Sequence, residues 1–161
     1  MNTRESRKII LVLHNIRSTH NVGSIFRTAD AAGITKIYLS GYTPTPTDRF
    51  GRERSDIAKT ALGAEKQIPW QYVKNPNVTI NRFKKNGIKI VAIEQSKKSM
   101  DYKKVKFSGD VAILVGNEVK GLSPVLLKKC DIVAEIPMRG KKESLNVSVA
   151  FGVALFRILN I

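Results

Sequence analysis

Short, nearly continuous apolar runs recur along the chain, and between them apolar positions fall three and four residues apart. Ile9 to Leu13 (IILVL) predicts a buried strand, and Val22 to Ala32 predicts a helix stopped by Gly33. Lys36 to Leu39 predicts the next strand. Gly41 to Ser55 (GYTPTPTDRFGRERS) has no period and is rich in Gly, Pro, Thr and Arg, so it predicts a long loop. Asp56 to Lys66 predicts a helix, Gln71 to Val73 a short strand, and Asn77 the cap of a helix ending at Asn86–Gly87. Strands are predicted at Lys89 to Ile93 and at Val111 to Val115. Ser123–Pro124 predicts a helix start, with Ser as N-cap and Pro in the first position. A strand over Ile132 to Ile136 and a helix over Leu145 to Leu159 complete the chain.

Strands that alternate with helices and are apolar on both faces predict an α/β fold, a mainly parallel sheet with helices on both faces. Such sheets bind ligands at the carboxyl ends of their strands, which singles out the loops after Leu13, Val115 and Ile136. No G-x-G-x-x-G follows the first strand, so a dinucleotide-binding reading loses its main support.

Composition narrows the class. The 161 residues carry 28 Lys and Arg against 13 Asp and Glu, a formal charge of +15. That excess calls for a polyanion, best a nucleic acid. The densest basic stretch, Arg82 to Lys106, reads either as a solvated lysine-rich face or as part of that footprint. A lone Cys130 excludes a disulfide framework, His14 and His20 are too few and poorly spaced for a metal site, and no apolar run approaches a membrane span. The expectation is one soluble cytoplasmic domain over residues 1–161. With the first strand at Ile9, no separate N-terminal RNA-binding domain is expected.

The three loops carry chemistry-bearing residues. Asn21 and Arg27 open the first helix, with Gly23 allowing close backbone approach. Glu118 stands between Gly116 and Gly121, and Ser144 and Asn146 precede the last helix, where either fits as its cap. Taken in order, NVGSIFRTADAAG, LVGNEVKGLS and IPMRGKKESLNVSVAFGVALFR resemble the three motifs of the SpoU (TrmH) family of RNA 2'-O-ribose methyltransferases, of the SPOUT class. Leu62-Gly63-Ala64-Glu65 before Pro69 supports the match, which spans nearly the whole chain. The resemblance implies a C-terminal trefoil knot and S-adenosylmethionine held bent within it. Gly116, Ile136 and Leu145 would hold that cofactor, with Leu114 and Met138 beside its adenine. Catalytic roles would fall to Arg27, Asn21, Glu118, Ser144 and Asn146. A homodimer acting on tRNA or rRNA is implied, the apolar last helix being suited to the interface.

The sulfonium methyl is already activated, so the protein must position a ribose 2'-hydroxyl and stabilise its developing charge. A fixed guanidinium at Arg27 suits that task, although its pKa makes it a poor base. Glu118 and Asn21 are expected to orient Arg27. Phosphate contacts are expected from Arg17, from Arg49, Arg52 and Arg54 in the long loop, and from Arg139, Lys141 and Lys142. Two alternatives stand beside this reading: a non-catalytic RNA-binding protein of the same fold, and a SPOUT base methyltransferase.

Overall fold

The computed structural model describes residues 7–161. Seven parallel strands form one sheet: β1 (Ile9–His14), β2 (Lys36–Ser40), β3 (Trp70–Val73), β4 (Lys89–Ile93), β5 (Met100–Asp101), β6 (Val111–Val115) and β7 (Ile132–Glu135). Their spatial order is β3-β2-β1-β6-β4-β7-β5, and every pairing within the sheet is parallel. Register places Leu13 beside both Leu39 and Val115, and Val115 beside Ile93, so the carboxyl ends of β2, β1, β6 and β4 share one edge.

The period-two geometry of a strand sends alternate side chains to opposite faces. Leu11, Leu13, Ile37, Leu39, Val91, Ile93, Ile113 and Val115 enter one core layer. That layer is covered by α1 (Thr19–Ala31), α2 (Ser55–Ala61), α3 (Ala64–Gln67) and α6 (Val147–Leu159). Ile10, Val12, Tyr38, Ile90, Ala92, Ala112 and Leu114 enter the other, under α4 (Pro76–Lys85) and α5 (Pro124–Lys129). Burial on both faces is why these strands read as unbroken apolar runs.

Several elements differ from the sequence-based expectation. Helix α1 starts at Thr19, three residues before Val22, because Ser18 caps it. The helix expected over Asp56 to Lys66 is two short helices, parted by Leu62 and Gly63 in left-handed conformations (φ 52° and 93°). Asn75, not Asn77, caps α4: its side chain accepts from the Asn77 amide, and Pro76 occupies the first helical position. The last helix starts at Val147 because the Asn146 side chain takes the Ser148 and Val149 amides, which leaves Leu145 outside it. The short β5 and a single 3-10 turn at Tyr102–Lys104 have no period long enough to show in sequence. Among the described residues, no helix is long and apolar enough to cross a membrane.

Candidate active site

Three loops meet beyond the carboxyl edge of the central strands. The first leaves β1 at Asn15, a non-glycine residue in the left-handed region (φ 57°). Asn15 is held there: its Oδ1 accepts from the Tyr42 amide, and its Nδ2 donates to His14 Nε2 at 3.1 Å. His14 Nε2 must then be an acceptor, so the ring is neutral and Nδ1 donates to Ser40 Oγ at 2.9 Å. Burial lowers the His14 pKa and favours that neutral form. Gly41 is required beside it, because a Cβ there would run into the Asn15 carboxamide.

Asn15 turns the chain so that the next amides point at the second loop. The Arg17 amide donates to both Glu118 carboxylate oxygens (3.1 and 3.0 Å), and the Ser18 amide donates to Oε1 at 3.2 Å. Asn21 Nδ2 adds a bond to Oε1 at 3.3 Å. Burial pushes the Glu118 carboxyl up, but the Arg17 amide, its own amide, the Ser18 amide and Asn21 outweigh it. The net result is a pKa below the usual value, and an ionised side chain at neutral pH.

The third loop joins through Asn21. Asn146 Nδ2 donates to Asn21 Oδ1 at 3.2 Å, while Asn146 Oδ1 caps α6 and accepts from Ser148 Oγ at 2.6 Å. One chain of hydrogen bonds therefore runs Asn146–Asn21–Glu118, linking segments about a hundred residues apart in sequence. Asn21 itself is the third residue of α1, whose N-cap is Ser18.

Sequence reasoning missed three residues that build this site. Asn117 is buried; its Nδ2 donates to the Asn15 carbonyl (3.0 Å) and the Tyr42 hydroxyl (2.8 Å), and its Oδ1 accepts from the Val119 and Lys120 amides. Glu94 Oε2 accepts from the Leu122 amide, and Gln95 Nε2 donates to the Glu143 carbonyl. No local pattern marks Glu94 or Gln95, since their partners lie some 30 to 50 residues ahead. Asn117 stands inside the second motif, where its position at a strand end was the available signal.

The second and third loops, with the segment after β4, enclose a cavity of about 310 Å³ at the ends of β4, β6 and β7; the first loop packs beside it through Glu118 and contributes no lining residue. Gly116, Ile136, Met138 and Leu145 line it, as do Glu118 and Ser144. Leu114 does not: its side chain is fully buried in the layer under α4 and α5, and Val115, one residue on, faces the cavity. At Gly116 a Cβ would press on Leu122 and the Gly121 backbone; at Gly121 it would meet the Glu94 carboxylate. The cavity thus combines apolar walls (Ile93, Val115, Ile136, Leu145) with carboxylates (Glu94, Glu118, Glu143) and a backbone cradle at glycines. Its volume lies at the lower end of the range for small-molecule sites. Apolar walls with accepting carboxylates fit a nucleoside bearing a cationic tail.

Arg27 stands apart from this network. It is exposed on α1, and the acceptors of Glu118 and Asn21 are engaged by Arg17, Ser18 and Asn146. The expectation that Glu118 and Asn21 orient Arg27 is therefore corrected: they tie the loops together. Arg17 supplies its backbone amide to Glu118 while its side chain is exposed, as are Arg139, Lys141 and Lys142. In the long loop Arg49 is exposed, Arg52 is paired with Asp48 at 2.8 Å, and Arg54 is half-buried with its Nε unpartnered. The loop is a closed turn, not an open excursion, with Thr47 bridging Glu53. Cys130 is far from thiolate chemistry: burial, then the Asp131 charge, push its pKa up to about 12. Among the described residues, no group of three or more His, Cys, Asp and Glu stands together as a metal site.

Residues 8–156 match the model of the SpoU rRNA Methylase family. Over 155 residues the chain is 34% identical to a 23S rRNA (guanosine-2'-O-)-methyltransferase of Coxiella burnetii, covering 96% of this chain and 59% of the relative. The AdoMet-bound rRNA methyltransferase of Sinorhizobium meliloti has a similar structure, with TM-score 0.82 and 31% identity over 95% of this chain and 56% of that one. A TrmH/SpoU tRNA modifying enzyme of A. aeolicus gives TM-score 0.83 and 30% identity over 96% and 75%. The chain spans about three-fifths of the length of the curated relatives it matches.

Proposed function

Because the chain belongs to the SpoU rRNA methylase family, we propose that it transfers the methyl group of S-adenosylmethionine to a ribose 2'-hydroxyl of tRNA or rRNA. The observation that carries this reading is the Asn146–Asn21–Glu118 chain, which ties the first motif loop to the two motif loops that line one cavity. A bound sulfonium supplies an activated methyl, so the chain's own residues have only to bind, orient and stabilise charge.

In this reading Ile136, Met138 and Leu145 wall the adenosine, Ser144 lies at the same wall, and Gly116 and Gly121 let the second loop pack closely on Leu122 and Glu94 at the cavity's edge. Ionised Glu118 fixes the Arg17–Ser18 segment, and Asn146 fixes Asn21, so the ribose meets a preorganised rim. Arg27, six residues beyond Asn21 on α1, offers its guanidinium to the nascent alkoxide and an adjacent phosphate. The proton leaves to a phosphate oxygen or water. Arg17, Arg139, Lys141 and Lys142 hold flanking phosphates.

Two further parts belong to the same reading. A homodimer is supported by α6, whose Val149, Val153 and Phe156 stay 50%, 43% and 38% exposed on an otherwise apolar helix. The C-terminal knot belongs to the reading through the family resemblance, and the strand order β6-β4-β7 is compatible with it. A cytoplasmic location belongs to the same reading, since its substrate would be cellular tRNA or rRNA. The test is nucleoside mass spectrometry of tRNA and rRNA from a strain lacking the gene. One 2'-O-methyl nucleoside should be lost and restored by complementation; an unchanged 2'-O-methyl inventory would overturn the assignment.

A further inference from the structure

The segment between β2 and α2 carries a feature that methyl transfer does not use. At its tip Phe50 is 67% exposed. Isolated surface aromatics are ordinary, but this one is mounted on a built turn. Asp48 Oδ1 accepts from the Phe50 amide at 2.8 Å and the Arg52 amide at 3.0 Å, and its Oδ2 accepts from Arg52 Nε at 2.8 Å. The Asp48 amide donates to the Arg52 carbonyl, and the Gly51 amide to the Asp48 carbonyl. Gly51, at φ 77°, takes the left-handed position that closes the turn. Below it the Thr47–Glu53 bridge and the Arg54 amide bond to the Pro46 carbonyl anchor the base of the turn.

Two guanidiniums lie against the ring, Arg49 at 4.8 Å and Arg52 at 5.0 Å from its centroid. An aromatic face held out from the surface and flanked by cations has a natural chemical complement: a stacked base with phosphates on either side. The same segment starts at the proposed site, where the Tyr42 hydroxyl accepts from Asn117.

We propose that Phe50 is a stacking platform for an unpaired nucleobase of the RNA substrate, with Arg49 and Arg52 binding the flanking phosphates. This rests on the reading above that RNA is the substrate. An arriving base displaces one guanidinium from the ring and releases it to a phosphate, while Asp48 keeps the turn in place. Stacking on Phe50 is indifferent to base identity, so it adds affinity and sets how far an unpaired nucleotide lies from the methylated one.

The experiment measures binding of bulk tRNA and of a roughly 12-nucleotide single strand across a salt series, for the wild type, Phe50→Ala, Phe50→Trp and Arg49→Ala/Arg52→Ala. Phe50→Ala should weaken binding by about 5- to 150-fold with an unchanged salt slope. The double arginine variant should lower the slope by roughly 1.4 for the single strand, two phosphates at about 0.7 each. Phe50→Trp should bind like the wild type, and its emission should be quenched by RNA beyond any change at native Trp70. S-adenosylmethionine titration of each variant reports that the fold and the cavity are intact. Phe50→Ala binding within twofold of the wild type, or unquenched Phe50→Trp, would overturn the platform while leaving methyl transfer standing. A wild type that binds no RNA would overturn both.

Discussion

Replacing Glu118 by Gln tests the junction of the loops. In the wild type, the Arg17 amide, the Ser18 amide and Asn21 Nδ2 all donate to one carboxylate. Bonds to a charged acceptor contribute about 1.5–3 kcal/mol, and neutral ones about 0.5–1.5. Gln keeps one accepting oxygen and turns an NH2 group toward donors, so each bond loses on the order of 1 kcal/mol. Three bonds give roughly 3 kcal/mol, and the partly exposed carboxylate reduces this by solvent screening to about 1–2. At this chain length the loss lowers the melting temperature by roughly 3–8 °C. The pH dependence is the sharper readout. Glu118 has a depressed folded-state pKa, so its contribution is present above the unfolded value of 4.5 and is lost as pH falls through the lower folded value. Urea unfolding of both proteins from pH 7 to pH 3 should show a gap that closes at the acid end. A difference below about 0.5 kcal/mol at pH 7, or one undiminished at pH 3, would refute the reasoning.

Other perturbations follow from the same geometry. Arg27→Ala should abolish methyl transfer with S-adenosylmethionine affinity nearly intact by calorimetry, and Arg27→Lys should fail too, lacking the planar fork; retention of more than a tenth of the rate, a loss under about 1.4 kcal/mol, contradicts the role. Gly121→Ala forces a side chain into φ 64° and onto the Glu94 carboxylate, so stability should drop by about 1–3 kcal/mol and cofactor affinity with it; wild-type values for both would show that the cradle tolerates a side chain. His14 has a lowered folded-state pKa, so the unfolded chain binds the proton first and stability should decline as pH falls below 6.5 toward the folded value. A His14→Asn variant should lose that slope, and a wild type with flat stability from pH 7 to 5 would show that the ring does not gain its proton on unfolding.

Much of the frame was legible in the sequence because burial writes itself locally. β1, β4 and β6 lie buried on both faces, and their apolar runs gave bounds within a residue of those observed. The meeting of Asn21, Glu118 and Asn146 at one place was legible only through family motifs; composition and period say nothing of contacts 97 and 125 residues apart. Gly63 marks the break between α2 and α3, but the preceding Leu62 gives no signal for the left-handed backbone it also adopts, so the helix was read through. Leu114 was assigned to the cofactor by motif position, but strand alternation turns it to the opposite layer and brings Val115 to the cavity. The role of Glu118 also changed: it was expected to orient Arg27, whereas the Arg17 and Ser18 amides and Asn21 Nδ2 donate to it.

The central claim is that the methyl group reaches a ribose oxygen. Purified chain, tRNA or rRNA lacking its own modifications and S-adenosylmethionine labelled in the methyl group suffice to test it. After reaction the RNA is hydrolysed in alkali, which needs a free 2'-hydroxyl to cleave the adjoining phosphodiester. The expected result is label in an alkali-stable dinucleotide. Label in mononucleotides would place the methyl on a base, and unlabelled RNA with bound cofactor would mark a binder without the activity; either contradicts it.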